Sequence, residues 1–159
     1  MRKEIVGQKT VAAEAAGGEW LDLASIARVQ LTSEDPAFPI ENALSTNPTL
    51  NELGWRSTGP GPQTITILFD APQRIRRIVL HFVEHKMERS QEFLLRYSSA
   101  NETNREIVRQ QWTFSPNGSL QEVEDYAVDL DSVTKLELVI DPDRGRLHSV
   151  ATLNALRVA

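Results

Sequence analysis

The chain has 159 residues, of which 40% are hydrophobic and 25% are charged, and it contains no cysteine. These values suit one folded domain and exclude disordered, collagen-like and disulfide-framework proteins. The absence of cysteine also excludes thiolate zinc sites, iron–sulfur clusters and cysteine nucleophiles. The net charge of −5 argues against a general nucleic-acid-binding protein, because such proteins need clustered Lys and Arg residues.

The amino-terminal segment, residues 1–18, is rich in Ala, Gly, Glu and Lys and ends in two glycines. Its apolar periodicity is too weak for firm packing, so we expect a flexible arm there and a single domain over residues 19–159. No apolar run reaches the roughly 20 residues of a membrane span. The basic start of the chain is not followed by an apolar segment, so we expect no secretory signal either.

After residue 26, apolar residues alternate with their neighbours at period two in eight segments. They are residues 27–32, 64–69, 77–82, 92–97, 106–114, 126–130, 136–140 and 152–158. This alternation is typical of strands that turn one face to a core and the other to solvent.

Turn-forming residues separate these segments. Asp70-Ala71-Pro72-Gln73 predicts a tight hairpin, and Ser115-Pro116-Asn117-Gly118 predicts another turn. Residues 40–44 are the one segment that favours a helical turn, and no strand–helix rhythm is present. We therefore predict an all-β fold, an antiparallel β-sandwich or jelly roll of about eight strands.

His81-Phe82-Val83-Glu84-His85 matches the H-x-x-E-H pattern of inverted zinc proteases, in which two histidines one helical turn apart bind zinc. The residues before it alternate at period two, which places His81 in a strand. On an extended chain the two imidazoles lie roughly 13 Å apart, too far to share one zinc ion. We therefore expect no metal site here and interpret Glu84 and His85 as loop residues that follow a strand.

No other segment indicates catalysis. The chain lacks a G-x-S-x-G nucleophile elbow, and its three histidines show no recognisable partner pattern. Gly59-Pro60-Gly61-Pro62 is too rich in proline to hold a phosphate group. We expect a protein that is not an enzyme and needs no cofactor, and a structural calcium ion near Glu34-Asp35 stays an open alternative.

Several short motifs follow one another in a characteristic order. They are Ile26–Glu34, Asn42–Leu44, Gly54–Ser57, Gln63, Phe69–Pro72, Ile75–Leu80, Phe93–Ser99 and Ala151–Val158. Together they resemble the coagulation factor 5/8 type C, or discoidin, domains of the galactose-binding-like superfamily. The resemblance covers roughly residues 20–159 and implies an eight-stranded jelly roll with ligand-binding loops gathered at one end.

The resemblance places Ser33–Pro39, Leu53–Pro62 and Val83–Ser90 at that end. Arg and carboxylate side chains in such loops offer donors and acceptors for the vicinal hydroxyls of a sugar. The candidate ligand-binding residues are Glu34, Asp35, Arg56, Glu84, His85 and Arg89. In this interpretation the two arginines donate, Asp35 or Glu84 accepts, and His85 does either.

Family members bind sugars, anionic lipids or other proteins, and the donors and acceptors in these loops favour a sugar. The leading hypothesis is therefore a non-catalytic carbohydrate-binding module. The alternative is an intracellular protein–protein or assembly module with no sugar ligand. Lipid-binding members insert exposed apolar side chains, and these loops offer only Phe38, Leu53 and Met87, so we expect no membrane insertion. The family's frequent cysteine pair and a signal peptide are both lacking, which favours a cytoplasmic protein. The resemblance also implies that Trp55 is structural.

Overall fold

The computed structural model describes residues 20–159, and the arm expected at residues 1–18 lies outside them. The strands in that range are Ala27–Leu31 (β1), Trp55–Pro60 (β2), Gln63–Val83 (β3), Arg89–Ser99 (β4), Arg105–Phe114 (β5), Gln121–Asp141 (β6), Val150–Leu153 (β7) and Ala155–Val158 (β8). The helices are Leu23–Ile26 (α1), Ile40–Leu44 (α2) and Pro48–Leu53 (α3). None of these helices is long and apolar enough to cross a membrane.

Two long strands, β3 and β6, pair antiparallel along most of their length. The first half of β3 also pairs with β1, and its second half pairs with β8. The second half of β6 pairs with β4, which in turn pairs with β5. The β3–β6 ribbon therefore takes part in a five-stranded sheet of order β1-β3-β6-β4-β5 and in a three-stranded sheet of order β8-β3-β6.

The tight hairpin expected at Asp70–Gln73 is wrong, because β3 continues through these residues. The register of β3 against β6 shifts between Leu68 and Arg77, so the chain there bulges instead of reversing. Residues 70–72 are exposed, and a proline is tolerated at such an irregularity because no ladder bond needs its missing N–H. Two pairs of predicted segments are thus halves of single strands, 64–69 with 77–82 in β3 and 126–130 with 136–140 in β6.

The bend in this ribbon brings the inner faces of the two sheets together. Ile67 in the first half of β3 is 1% exposed, and Leu80 in its second half is fully buried. The ring of Phe82 stacks on the ring of Phe93 in β4 with the centroids 5.5 Å apart, which joins the two sheets directly. This packing confirms the predicted antiparallel β-sandwich of eight strands.

Strands β2 and β7 form a separate antiparallel pair in which Trp55 lies opposite Leu153. Both side chains belong to the hydrophobic core, which confirms that Trp55 is structural. Gly54, just before β2, has φ = +66°, and a Cβ there would lie 2.9 Å from the carbonyl oxygen of Leu153. Only glycine fits this backbone conformation and this close approach without a displacement.

Five connections meet at one end of the sandwich. The Gly61 N–H donates to the Ser149 carbonyl at 3.2 Å, and the Glu84 N–H donates to the Leu120 carbonyl at 2.8 Å. We call this end the mouth, and its loops are residues 32–39, 61–62, 84–88, 115–120 and 142–149. Ser33–Pro39 and the centre of Val83–Ser90 are loops as expected, whereas most of Leu53–Pro62 is strand β2.

Candidate functional site

Arg56 lies at the surface beside the 32–39 loop of the mouth. Its backbone N–H donates to the Phe38 carbonyl at 3.2 Å, and its own carbonyl accepts the Asp35 N–H at 2.8 Å. Its guanidinium group lies over the Phe38 ring, 4.4 Å from the ring centroid. Within residues 20–159 it forms no ion pair, so its N–H donors are available to a ligand.

The carboxylates of Glu34 and Asp35 shape the loop on which they lie. Glu34 Oε1 accepts the Ile40 N–H at 2.6 Å, at the start of α2, and Asp35 Oδ1 accepts the Ala37 N–H at 2.9 Å in a turn. For residues 20–159, no group of three or more His, Asp or Glu side chains is placed to hold a metal ion.

Arg89 lies beneath the mouth rather than on its surface, because its side chain is fully buried. Its Nε donates to Glu84 Oε1 at 2.7 Å, and its Nη1 donates to the Pro142 carbonyl at 2.8 Å and to Gln91 Oε1 at 3.1 Å. These contacts tie two loops of the mouth together. They correct the expectation that Arg89 is a donor exposed to a ligand, since burial leaves it no surface to offer.

Glu84 forms the outer end of this contact and is 16% exposed at its side chain. Burial opposes its ionisation, but hydrogen bonds from Arg89 and from the Lys86 N–H outweigh burial and lower the pKa of Glu84. The Arg89–Glu84 pair is therefore a buried structural ion pair rather than a solvated one. His85 follows it, is exposed, and lines a groove together with His81, which lies in β3 as the alternation predicts.

Thr152 connects the exposed arginine with the buried one. It is the register partner of Arg56 in the β2–β7 pair, and its Oγ1 accepts a hydrogen bond from Arg89 Nη2 at 3.3 Å. Facing residues of an antiparallel pair lie about 4.5–5.5 Å apart. The structure therefore places Arg56 and Arg89 on two sides of one threonine, with Asp35 beside Arg56 and Glu84 beside Arg89.

The contacts of Arg89 continue inward to a second carboxylate, Glu122. Gln91 donates from Nε2 to Glu122 Oε1 at 3.1 Å, while Glu122 Oε2 is buried and has no partner among the described residues. Burial, and then the neighbouring Glu124 carboxyl group, raise the pKa of Glu122 to about 8. The raised pKa favours the protonated form of Glu122, whereas the lowered pKa of Glu84 favours its ionised form.

Neither a family model nor a curated protein matches the sequence. The comparison with solved structures therefore concerns the fold alone. Among solved structures, the family 32 carbohydrate-binding module of C. perfringens NanJ in complex with galactose superposes with a TM-score of 0.62, at 12% identity over 87% of this chain and 96% of that one. CBM32-3 from a family 31 glycoside hydrolase of Clostridium perfringens gives 0.61, at 15% identity over 92% and 96%. A pectin-binding carbohydrate-binding module gives 0.59, at 14% identity over 84% and 89%. The chain shares the β-sandwich fold of these modules.

Two apolar residues at the mouth were not predicted as a pair. Leu147 is 69% exposed and Met87 is 36% exposed. Met87 Sδ lies 3.5 Å from Ser149 Oγ, and Leu147 lies against Gly61, where an added Cβ would meet its Cδ2 at 3.0 Å. An apolar residue within a loop of turn formers was the signal available for Leu147 in the sequence.

Glu122 also had a signal in the sequence. Tyr126, Val128 and Leu130 alternate toward the core of the sandwich, and this parity carried back by four residues places Glu122 inward. The same parity turns Val123 outward, where it is 58% exposed. The polar character of Glu122 hid the pattern, because an inward strand position is expected to be apolar.

Proposed function

We propose that the protein is a non-catalytic carbohydrate-binding module whose ligand binds at the mouth. The observation that carries the proposal is Arg56, an exposed guanidinium held over Phe38 and without an ion pair in the described range. A planar guanidinium with unused N–H groups can donate two parallel hydrogen bonds to neighbouring sugar hydroxyls. The Asp35 carboxylate, on the adjoining loop, can accept a hydrogen bond from a hydroxyl of the same sugar.

Proteins of the same fold support this choice of ligand class. They include a module in complex with galactose, a pectin-binding module and the CBM32 of AlyQ in complex with 4,5-unsaturated mannuronic acid. We further propose that the chain is a type C, discoidin-like member of the superfamily, as its motif order suggests. The cytoplasmic location and the absence of catalysis are parts of the same proposal.

The test is a glycan array probed with the wild-type protein, followed by calorimetric titration of the best glycan. Arg56→Gln is expected to weaken binding about tenfold or more, the scale of a hydrogen bond from a charged donor. Arg74→Gln is the matched control, because Arg74 is also exposed but pairs with Asp129 in the bend of β3, outside the mouth loops. It is expected to bind like the wild type.

Two results would contradict the proposal. One is the absence of any glycan signal with the folded wild-type protein, which would favour the protein–protein alternative. The other is equal binding by the wild type and Arg56→Gln, which would remove the mouth as the site. Exposed Leu147 is the feature to substitute next in a pull-down experiment if the first result is found.

A further inference from the structure

A groove of about 500 Å³ lies on the outer face of the three-stranded sheet, where α3 meets β3 and β8. The β3–β8 register pairs His81 with Ala155 and Val79 with Arg157. His81 and Arg157 are therefore diagonal neighbours on one face of the sheet, within reach of long side chains. Neither residue belongs to the six candidates of the mouth, although His85 lines the outer part of the groove.

Arg157 is a cation without a carboxylate partner. Its Nη2 donates to Asn51 Oδ1 at 2.6 Å, and within residues 20–159 it forms no ion pair. Its Nε is buried and has no hydrogen-bond acceptor among the residues that the structure describes. Buried donors are nearly always paired in folded proteins, so an oriented arginine with a donor left over indicates a missing acceptor.

The side chain of Arg157 is held in place by a rigid amide frame. Asn51 is buried, and its Nδ2 donates to the Asn42 carbonyl at 2.9 Å and to the Ser45 carbonyl at 3.0 Å. Asn154 is buried as well, and its Nδ2 donates to the Asn51 carbonyl at 2.9 Å. Both amides donate their Nδ2 N–H groups to backbone carbonyls. Asn51 therefore offers only its Oδ1 to Arg157, and this contact orients the guanidinium before a ligand binds.

Two histidines and one glutamate supply the other charged or titratable side chains that line the groove. His81 Nε2 lies 2.8 Å from Gln121 Oε1, an acceptor, so Nε2 carries the proton of this contact, and Nδ1 donates to an anion in the imidazolium form of the ring. His85 is exposed in the outer part of the groove, and Glu52, also exposed, is the carboxylate among the residues that line it. The half-buried part of the groove thus combines a guanidinium and an imidazole with no carboxylate.

We propose that this groove is an anion subsite in which Arg157 and His81 hold the carboxylate or sulfate group of an acidic saccharide. The choice of a saccharide rests on the proposed function, whereas the choice of an anion rests on the groove alone. Guanidinium groups bind carboxylate and sulfate oxygens through short, charge-assisted hydrogen bonds. An anion in this position balances the charge of the Arg157 guanidinium, which no carboxylate of the described residues pairs.

The test titrates galacturonic acid, galactose 6-sulfate and galactose into the wild-type protein, Arg157→Gln, His81→Gln and the control Arg74→Gln. We expect the wild type to bind at least one of the two acidic sugars about tenfold more tightly than galactose, the scale of one charge-assisted contact. Comparison of the two acids identifies the preferred anion. Arg157→Gln is expected to abolish the preference, His81→Gln to reduce it, and Arg74→Gln to leave it unchanged. Equal affinity of the wild type for acidic and neutral sugars would overturn the proposal.

A second measurement separates this proposal from the proposed function. Sodium sulfate is titrated at constant ionic strength into labelled protein, and amide shifts are followed at His81 and Ala155–Arg157. Saturable shifts there, absent in Arg157→Gln, support an anion subsite even if no sugar binds. Shifts that are absent in the wild type, or equal in a folded Arg157→Gln, overturn it even if neutral sugars bind at the mouth. Arg157→Lys, which keeps the charge, is expected to retain part of the sulfate response and guards against a simple folding defect.

Discussion

Arg56 and Arg89 flank the same threonine, yet they occupy opposite environments. Arg56 is exposed, stacks on one ring and forms no ion pair in the described part of the chain. Arg89 is fully buried, hydrogen-bonds to Glu84, Gln91 and Thr152 and lies 4.6 Å from an aromatic centroid. Both arginines are candidate ligand-binding residues on sequence grounds. In the structure a ligand can reach Arg56, whereas Arg89 lies beneath the loops and supports them.

The difference follows from what each guanidinium loses when it leaves water. A buried arginine is costly unless acceptors surround it, and Arg89 has its acceptors in place. Two of these acceptors, the Pro142 carbonyl and the Glu84 carboxylate, belong to different loops of the mouth. Their hydrogen bonds to Arg89 hold both loops in position. Arg56 stays exposed to water and needs no acceptors from the protein, so its N–H donors remain available to a ligand. Removal of each arginine should accordingly affect different properties.

The largest effect is expected from Arg89→Met. Methionine keeps the apolar contact with Phe114 but leaves the Glu84 carboxylate without its partner, so the free energy of unfolding should fall by about 3–5 kcal/mol. Urea unfolding followed by fluorescence measures this loss. Arg109→Gln is the control, because Arg109 pairs with Glu92 at the surface, and surface pairs contribute about 0–1 kcal/mol. A loss for Arg89→Met no larger than that of the control would mean that Arg89 does not support the mouth.

A smaller, pH-dependent effect is expected at the inner end of the same network. The unfolded chain ionises Glu122 near its ordinary pKa of 4.5, whereas the folded protein keeps the proton up to about pH 8. Between these values the folded state binds the extra proton, so the free energy of unfolding falls as the pH rises. Glu84 has the opposite sign, since its lowered pKa contributes stability above its ordinary value that is lost as the pH falls through the folded value.

Glu122→Gln tests this difference, because glutamine fits the same space and cannot ionise. The variant should flatten the decline in unfolding free energy between about pH 5 and pH 8 and should be more stable than the wild type at the upper end. Urea unfolding at several pH values measures it. Glu106→Gln, which removes an exposed carboxylate from β5, should leave the slope as in the wild type. If Glu122→Gln instead shows the same decline in unfolding free energy with pH as the wild type, Glu122 is already ionised in the folded protein, and the expected retention of its proton is wrong.

The sequence pattern that predicts the strands is local, whereas the contacts that build the site join residues distant in the sequence. The period-two pattern around Ile67 and Leu80 lies within short segments, so the strands and the sandwich were predictable. The continuity of β3 through Asp70–Gln73 depends on pairing with β6, which is distant in the sequence, so a local turn signal misled. The burial of Arg89 depends on Pro142 and Thr152, which lie 53 and 63 residues away, and no short motif contains that information.

The smallest effect on stability is expected from Phe38→Leu, which removes the ring beneath Arg56. A cation–π contact at an exposed site contributes about 0.5–1 kcal/mol, so the unfolding free energy should change by no more than that. Glycan affinity should nevertheless fall, because the guanidinium loses the surface that orients it. Arg56→Lys sharpens the comparison, since lysine keeps the charge but lacks the planar pair of donors. If Arg56→Lys binds as well as the wild type, charge alone would explain binding, and the stacked geometry would have no role in recognition.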